Sequence, residues 1–444
     1  MALPDPTPPK HVIVIGAGLA GLAASYDLIR SGYRVTLLEM RAELGGLASS
    51  SLLEGRLVEQ FYHFICRSDH ELIDLSRELG IEGQIHWRNT STGFYYEGAT
   101  YPFGTPFDLI RFSPIPWMQR LRFGIHILNS RYRSQWRWLD QIPATPWLIE
   151  NIGEQAYNVI WHPLLKVKFG DQYDKISAAW IWHRIWRVAT SRKNLFSREM
   201  FGYLENGSFT LVNSIAARLR SHPGFTLLSG KEAQAIEIQE GRVTAVQIPG
   251  QRIPCDAVLS TVATPIVAAL LPALDEPYFT KLRQIQSIGV VCMILSLKST
   301  FSPYYWLNVN DQRIPYNGMI ELTNLNQHLK NEGMNILYIP LYLPVSDPRY
   351  TASDQALFEE YVQTLKVIKP GFDVGEIKEW HVYRAPYAQA ICTTHFSRLI
   401  PDLRSPVRGL YITDSTQFYP EDRTLSAAIR QGRKAASLIQ EENG

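Results

Sequence analysis

The 444-residue sequence predicts an α/β protein in which a parallel-sheet domain is interrupted by a long insertion. Three observations predict this fold class. An apolar, β-branched run at 11–15 is followed by a helical pattern and a second strand, which is the order of a βαβ unit. A further strand and helix close the chain at 409–439. Between them, nine of the eleven tryptophans lie within one hundred residues, whereas the first sixty residues contain none.

The first strand leads directly into a glycine-rich turn, Gly16-x-Gly18-x-x-Gly21, and a helical pattern follows to about Arg30. Gly16 permits the tight turn from strand to helix, and Gly18 lets a pyrophosphate approach the backbone. Gly21 lets the helix pack closely on the strand, and the free N–H groups of the first helical turn face the phosphates. This segment therefore predicts a phosphate-binding turn.

The second strand, Arg34 to Leu38, ends at Glu39. The Glu39 carboxylate is placed to bind the ribose hydroxyls of an adenosine and to repel a 2′-phosphate. Arg41 and the pair Gly45 and Gly46 follow directly, and they extend the phosphate site onto a second loop that simple nicotinamide dehydrogenases lack. Strand, helix, second strand and terminal acid together predict a Rossmann-like dinucleotide-binding domain.

The end of the chain carries a second acid beside a helix. Residues 409–414 form a strand pattern that ends at Asp414, and a helical pattern runs from Thr424 to Ala436. An acid and a helix N-terminus joined by a short loop can hold a ribityl chain and the anionic edge of a reduced flavin. The pattern therefore favours a flavin over a nicotinamide.

Residues Glu39–Gly46 and Gly409–Ala436 resemble the flavin-containing amine oxidase superfamily. Its members include protoporphyrinogen oxidases, phytoene-type desaturases and monoamine or polyamine oxidases, and UDP-galactopyranose mutases are structural relatives. The resemblance implies FAD bound in extended form. It implies the pyrophosphate at Gly16, Gly18 and Gly21, the adenosine ribose at Glu39, the phosphate and flavin side at Arg41, Gly45 and Gly46, the adenine at Ala233, the ribityl chain at Asp414 and the pyrimidine edge at Leu425.

The shifts in composition, with the resemblance, predict a discontinuous FAD-binding domain that comprises 1–83, 200–285 and 400–444. The inserted substrate domain comprises a helical, aromatic-rich part, 84–199, and a sheet part, 286–399. The expected architecture is thus α/β around the cofactor and α+β overall.

One segment departs from the family pattern beside the flavin. Where amine oxidases have an acid, any residue and two glycines, this sequence has Phe61 and Tyr62 in the glycine places, followed by His63. Tyr62 and His63 are the candidate catalytic residues, because the pKa of a histidine lies near neutrality. The alternative is that both side chains only pack and form hydrogen bonds around the cofactor.

Amine oxidases also place a lysine, bridged through water to the flavin, in an apolar strand ahead of an aromatic pair. The matching stretch here is 287–298, in which Cys292 takes the place of the lysine and Lys298 lies at the exit of the strand. An amine-oxidase mechanism therefore loses support. The simplest interpretation of Cys292 is a small buried hydrophobic residue.

The function predicted is FAD-dependent removal of a hydride from a hydrophobic, isoprenoid or tetrapyrrole-like substrate, because aromatic side chains dominate the middle of the chain. A first alternative is a mutase of the UDP-galactopyranose kind, since Tyr62-His63-Phe64 is similar to a short segment of those proteins near the flavin. A second alternative is a flavin-binding partner subunit without turnover. The electron acceptor stays open between oxygen, a quinone and another acceptor, since no second G-x-G-x-x-G follows.

Residues 111–138 suggest a partner of a different kind. Trp117, Leu121, Ile125 and Leu128 follow roughly one helical face, and six arginines lie around them between 101 and 138. An amphipathic helix with tryptophan at its edge and arginines around it suits the headgroup region of a membrane. The alternative is an ordinary core face with a solvated arginine side.

Composition and residue spacing also bear on nucleic-acid binding, metal sites and cellular location. The formal net charge of +2 is too small to indicate nucleic acid, and no close histidine spacing indicates a metal site. Four widely separated cysteines suit a reducing cytoplasm, and the prolines of 1–9 do not suit a secretory signal. The sequence therefore predicts a cytoplasmic protein without a membrane-spanning helix. The alternative is a cytoplasmic protein that attaches peripherally to a membrane.

Overall fold

The computed structural model describes residues 9–191, 198–274 and 276–443, so the proline-rich start discussed above lies largely outside the described residues. In chain order, the strands are β1 His11–Ile15, β2 Arg34–Glu39, β3 Ser50–Leu53, β4 Arg56–Glu59, β5 Ile85–Asn89, β6 Thr92–Tyr96, β7 Ala99–Pro102, β8 Met200–Leu204, β9 Phe225–Ser229, β10 Ala235–Gln239, β11 Arg242–Ile248, β12 Gln251–Pro254, β13 Ala257–Ser260, β14 Ser287–Leu297, β15 Trp306–Val309, β16 Gly318–Glu321, β17 Ile336–Leu343, β18 Ile377–Ala390 and β19 Leu410–Ile412.

The α-helices are α1 Leu19–Arg30, α2 His70–Glu78, α3 Pro106–Arg111, α4 Trp117–Tyr132, α5 Ala144–Ile152, α6 Glu154–Ala156, α7 His162–Phe169, α8 Ala178–Thr190, α9 Ser208–Arg220, α10 Thr264–Leu270, α11 Pro277–Gln284, α12 Gln327–Asn331, α13 Pro348–Thr351, α14 Asp354–Ile368 and α15 Leu425–Asn443. A π-helical turn at Tyr157–Trp161 joins α6 to α7.

The nucleotide-binding half is a parallel sheet of five strands in the order β19-β13-β1-β2-β9. Strand β1 is buried along its whole length because it lies at the centre of the sheet, which explains its unbroken apolar run. Helices α1 and α15 pack on each other, and a Cβ at Gly432 would lie 2.1 Å from the carbonyl oxygen of Ala20. The predicted Rossmann-like fold, with its last strand and helix contributed by the end of the chain, is confirmed.

The second half is a sheet of seven strands in the order β18-β14-β17-β16-β15-β6-β7. Strand pairs in this sheet are antiparallel except for β15 and β6. Side chains of β14 alternate between two cores. Val290 and Cys292 face the core that the tryptophan-rich helices share, and Val291 and Met293 face the core beneath α14.

The part predicted to be helical, 84–199, begins with three strands, β5 to β7. Strands β6 and β7 join the seven-stranded sheet and β5 pairs with β8. The physical reason is local: Thr92–Tyr96 is rich in β-forming aromatic residues, and Glu97 and Gly98 both have positive φ, as a tight hairpin turn requires. The helical part therefore starts at α3, and four of the tryptophans that follow it are buried in the core: Trp147, Trp161, Trp180 and Trp182.

Helix α4 differs from an ordinary core helix. Trp117 is 69% exposed, Leu121 59% and Ile125 48%, so the stripe identified in the sequence faces outward. The interpretation of this stripe as a core face is wrong. Among the described residues, no helix combines the length and the apolar character needed to cross a bilayer.

Candidate active site

A single cavity of ≈ 1620 Å³ connects the glycine-rich turn after β1 with the exposed stripe of α4. One arm runs along the carboxyl ends of the parallel strands, where ligands bind in folds of this kind. The other arm runs between the seven-stranded sheet and the helices, and apolar side chains line most of it. The two halves of the molecule therefore share one site.

The glycine turn forms the wall of the first arm. Gly16 has a φ of +100°, and a Cβ there would lie 2.9 Å from the Thr261 hydroxyl oxygen. A Cβ at Gly18 would meet no atom nearer than the Gly45 carbonyl oxygen at 4.0 Å, so it would fill only cavity space. Gly18 is also the N-cap of α1 and has no side chain to cap the first N–H groups. The turn thus leaves room and donors for a phosphate.

Gly21 has a different role from Gly16 and Gly18. A Cβ at Gly21 would lie 1.9 Å from the carbonyl oxygen of Gly16, and Gly21 does not line the cavity. Helix α1 can pack on the turn only because this side chain is missing. The geometry therefore gives Gly21 a packing role, and the pyrophosphate contact that the resemblance implied for it stays a prediction.

Glu39 connects the first loop to the second. Its carboxylate, 8% exposed, accepts hydrogen bonds from the backbone N–H of Ala17 at 2.8 Å and of Arg41 at 3.0 Å. The Gly45 N–H donates to the Ala17 carbonyl at 2.8 Å, so the loops hold each other in register. Because Glu39 also lines the cavity, it presents a fixed negative charge at the end of β2.

The second loop, 41–46, faces the glycine turn after β1, and we call the two loops together the cradle. Gly45 and Gly46 both have positive φ, and a Cβ at Gly46 would lie 3.3 Å from the Gly18 Cα. The Arg41 guanidinium donates to the Gln60 side-chain oxygen at 3.1 Å and lines the cavity. Two glycine backbones therefore face each other across the arm, with one cation beside them.

Ala233, Asp414 and Leu425 also line the arm. The Asp414 carboxylate accepts from the backbone N–H of Thr264 and of Thr416, each at 2.8 Å. It thereby fixes the loop before α15 against α10. The same side chain also faces the cavity. Leu425 is the first residue of α15. Apart from Gly21, every residue predicted to hold the cofactor lines one continuous groove, which fits an extended dinucleotide.

The two candidate catalytic residues lie where the arms meet. The Tyr62 hydroxyl is 3.3 Å from the Tyr342 hydroxyl, and burial raises the pKa of Tyr62 well above its usual value. His63 Nδ1 lies 3.2 Å from a Glu59 carboxylate oxygen without hydrogen-bond alignment, and it has no hydrogen-bond partner among the described residues. Tyr62 therefore stays a neutral hydroxyl, and His63 Nδ1 lies beside a carboxylate without an aligned hydrogen bond.

Reasoning from sequence missed a group of charges on the cavity wall. Lys168 of α7, Arg184 of α8 and Arg423, which precedes α15, all line the cavity together with Asp422. We call Lys168, Arg184 and Arg423 the cationic wall. They come from distant parts of the chain, and no spacing in the sequence connects them. The only available signal is that Arg423 lies two residues before the helix already assigned to the cofactor.

The strand expected to carry the amine-oxidase lysine shows no functional group in the cavity. Cys292 is fully buried behind the lining, and burial raises the pKa of its thiol. Lys298 is exposed at the end of β14 and does not line the cavity either. Among the described residues, no cluster of three or more histidine, cysteine or acidic side chains could hold a metal ion.

Comparisons with known proteins identify the family of the chain. The family of flavin-containing amine oxidoreductases matches residues 19–440. A 15-cis-phytoene desaturase of Synechococcus elongatus is 22% identical over 460 residues, which is 97% of this chain and 95% of the relative.

Two solved structures share the fold. A protein assigned as a protoporphyrinogen oxidase in Exiguobacterium sp. 255-15 has a TM-score of 0.76 at 18% identity, with 98% of this chain and 99% of that chain covered. A reduced UDP-galactopyranose mutase has a TM-score of 0.75 at 17% identity, with 98% and 94% covered. The match to the family over nearly the whole length, on a fold with a flavin-sized cradle, places the chain in the flavin-containing amine oxidoreductase family, and the protein is a flavin-dependent oxidoreductase.

Proposed function

We propose that the protein binds FAD and removes a hydride from a hydrophobic, isoprenoid or tetrapyrrole-like substrate. The observation that carries this proposal is the single cavity, in which a dinucleotide cradle opens into an apolar arm that ends at the exposed stripe of α4. Glu39 and Ala233 extend the cradle beyond the length that a mononucleotide would need, which favours FAD. A bound flavin supplies the acceptor for a hydride.

The residues of this chain contribute orientation and a dry environment. Phe94, Phe103 and Ile185 are among the apolar side chains that line the second arm and exclude water from it. The Tyr62 hydroxyl remains protonated and can donate a hydrogen bond. The His63 ring beside it, whose Nδ1 lies 3.2 Å from a Glu59 carboxylate oxygen, is the group available for the proton that leaves the substrate when a C–H bond is oxidised to a double bond.

The relatives support a desaturase more than an amine oxidase. The Synechococcus elongatus relative, a phytoene desaturase by name, matches this chain nearly from end to end. Cys292 stands where the family resemblance places a lysine, and it does not reach the cavity. An apolar polyene or a tetrapyrrole therefore suits the arm better than a small amine does.

The test begins with the cofactor. Heat releases the flavin from the purified protein, and chromatography against FAD and FMN identifies it. The holoenzyme is then mixed anaerobically with liposomes that contain phytoene or protoporphyrinogen, and the flavin absorbance is followed. We expect FAD, and bleaching by one of the two. FMN in the protein, or no bleaching by either compound while UDP-galactose is turned over by the reduced enzyme, would contradict the proposal.

We also propose that α3 and α4 dock on an anionic membrane surface. Trp117, Met118 and Leu121 are 59–69% exposed, and Phe107 and Ile110 of the preceding helix are 58% and 65% exposed. Several of these residues also line the cavity, so docking would open the apolar arm toward lipid. A substrate that is insoluble in water would then enter without crossing bulk solvent.

Electrostatics would support this docking. Asp108 is the only acid between 101 and 138, where six arginines lie. Each basic residue near an anionic surface contributes about 1 kcal/mol, and salt screens the effect. Attachment should therefore be reversible and weaker at high salt, with a remainder from the apolar side chains that salt does not remove.

Liposome co-sedimentation tests the docking with a matched pair of variants. Leu121→Ser removes an apolar side chain that is 59% exposed from the surface, and Leu52→Ser removes one that is 61% exposed from the β3–β4 hairpin. Leu121→Ser should weaken the binding constant for anionic liposomes about tenfold, the equivalent of about 1.4 kcal/mol, while Leu52→Ser should not change it. Arg111 is exposed, and Arg111→Glu should reduce the salt dependence of liposome binding. Equal binding of both leucine variants would refute the docking surface.

The mutase alternative has one observation in its favour, the cationic wall, because a sugar nucleotide carries a diphosphate. The likeness to the UDP-galactopyranose mutase structure concerns the fold alone. The experiment with reduced enzyme and UDP-galactose decides between the two functions.

A further inference from the structure

We propose that the cationic wall binds an anionic head, a carboxylate or a phosphate, on an otherwise apolar substrate. This inference rests on the proposed function, since it concerns the same cavity. It narrows the hydrophobic, isoprenoid or tetrapyrrole-like substrates of the proposed function to those that carry an acidic end, which would lie beside Tyr62.

The three cations share two aromatic side chains. The Lys168 ammonium lies 4.4 Å from the centre of the Tyr342 ring and 5.1 Å from the Trp180 ring, and the Arg184 guanidinium lies 4.9 Å from the Trp180 ring. The Arg423 guanidinium lies 5.2 Å from the Tyr342 ring and donates to the Tyr342 hydroxyl at 2.5 Å. The positive charges are therefore clustered in one place.

The cluster carries more positive than negative charge. Asp422 is the acid that contacts it, and its carboxylate accepts from Arg184 at 2.6 Å. Arg423 donates to the Tyr342 hydroxyl and to the Ala388 carbonyl, which are neutral acceptors. The nearby Arg187 has its own partner, Asp69, at 3.4 Å. Among the described residues, three cations thus face one carboxylate.

Lys168 is the least compensated member. It is 6% exposed, and its ammonium makes no hydrogen bond or ion pair to another described residue, although it lines the cavity. Burial and the charge of Arg184 hold the pKa of Lys168 well below its usual value, although Asp422 partly offsets them. Protein interiors pair or neutralise such groups because an isolated buried charge is costly. An anion in the cavity would restore the charge balance.

The position of the wall relates the anion to the reaction. The Tyr342 hydroxyl, which accepts from Arg423, is 3.3 Å from the hydroxyl of Tyr62. A head group held at the wall would therefore fix one end of the substrate at a short distance from the candidate catalytic pair, and the apolar body would extend along the arm toward α4. A pure hydrocarbon has no group that could use this wall.

The test compares probes that carry the same apolar chain and differ only in the head group. Geranylgeranoic acid and geranylgeranyl diphosphate carry the anionic heads, and geranylgeraniol is the neutral match. Each is titrated into the holoenzyme, and binding is measured from the perturbation of the flavin spectrum and, independently, by calorimetry. Since charge-assisted contacts are strong, we expect both anions to bind about ten to a hundred times more tightly than the alcohol.

Variants separate charge from folding. Lys168→Met should lower affinity for both anions about tenfold and leave affinity for the alcohol unchanged, because only the Coulombic contact is lost. Lys168→Arg should retain most of the preference. Lys166→Met is the control on the same helix, since Lys166 is 49% exposed and pairs with Asp171 outside the cavity.

The outcomes are distinct. Equal affinities for acid and alcohol in the wild type, or an unchanged preference in Lys168→Met, would overturn the inference while the apolar arm and the proposed function remain. If the alcohol and the anions all fail to bind, the proposed function fails as well. Tighter binding of UDP-galactose than of geranylgeranyl diphosphate would show that the wall serves a nucleotide sugar, and the inference would be rejected.

Discussion

Replacing Glu39 by glutamine tests the cradle most directly. The carboxylate accepts from the N–H groups of Ala17 and Arg41 and faces the cavity, so it connects loop geometry with nucleotide binding. Glutamine has nearly the same shape and keeps one oxygen, but it loses the charge. Its NH₂ group must also face an N–H donor, which leaves one backbone donor without an acceptor.

The magnitude follows from these contacts. A hydrogen bond to a charged group contributes about 1.5–3 kcal/mol, and a buried unsatisfied donor costs about 1–3 kcal/mol. We therefore expect the free energy of unfolding of the apoprotein to fall by about 1–3 kcal/mol. Loss of the charged contact to the ribose should lower the affinity for FAD about tenfold to a hundredfold, since about 1.4 kcal/mol corresponds to a factor of ten.

Urea unfolding measures the first effect, and equilibrium titration of the apoprotein with FAD measures the second. Glu43→Gln is the matched control, because its side chain is 57% exposed and its nearest cation, Arg41, is 4.0 Å away. The control should bind FAD like the wild type. If Glu39→Gln copurifies with a full complement of flavin and binds FAD within twofold of the wild type, the assignment of Glu39 is refuted.

Three further predictions concern packing, chemistry and pH. Gly21→Ala should destabilise the protein by about 3 kcal/mol in urea unfolding, because its Cβ would overlap the Gly16 carbonyl; normal stability would contradict the packing role. Putrescine should not bleach the flavin anaerobically, since the cationic wall repels ammonium groups; rapid bleaching would show that this reasoning is wrong. Burial lowers the pKa of His126 to about 4 and of His183 to about 3, so both stay neutral in the native state while the unfolded chain takes up protons below about 6.5. The two histidines should therefore contribute fully above pH 6.5 and lose about 1.4 kcal/mol per unit each as the pH decreases, while Glu321, whose pKa burial raises to about 8, offsets one of them over this range. A free energy of unfolding that is equal at pH 7 and pH 5 would contradict this prediction.

The cofactor cradle could be predicted from the sequence because its determinants are local. The strand at 11–15, the glycine turn and Glu39 lie within thirty residues, and Gly16 and Gly21 are each required by the close approach of other atoms at their own positions. Gly45 and Gly46 both have positive φ, which favours glycine there as well. For Gly21, the physical argument from helix packing predicted the geometry correctly.

The direction in which α4 faces could not be predicted from its pattern. Apolar residues at helical spacing predict a stripe, but a stripe can face a core or remain uncovered, and only the positions of α5, α8 and the sheet decide which. In this structure His126 is buried on one side of the helix, while Leu121 and Ile125 are exposed on the other. The core beside α4 is filled by Phe123 of the same helix together with Trp147 of α5 and Trp180 of α8.

The dinucleotide fold follows from the sequence alone, because short-range steric and hydrogen-bonding requirements specify it, and the family resemblance adds that Cys292 stands in the place of the amine-oxidase lysine. The meeting of Lys168, Arg184 and Arg423 on one wall beside Tyr62 depends instead on tertiary packing. Their segments are brought together by the packing of α7 against β17 and of α8 against α4 and α5, and by contacts of the loop before α15 with Arg184 and Tyr342. Contacts between distant segments depend on how whole elements pack, and no residue spacing records that arrangement.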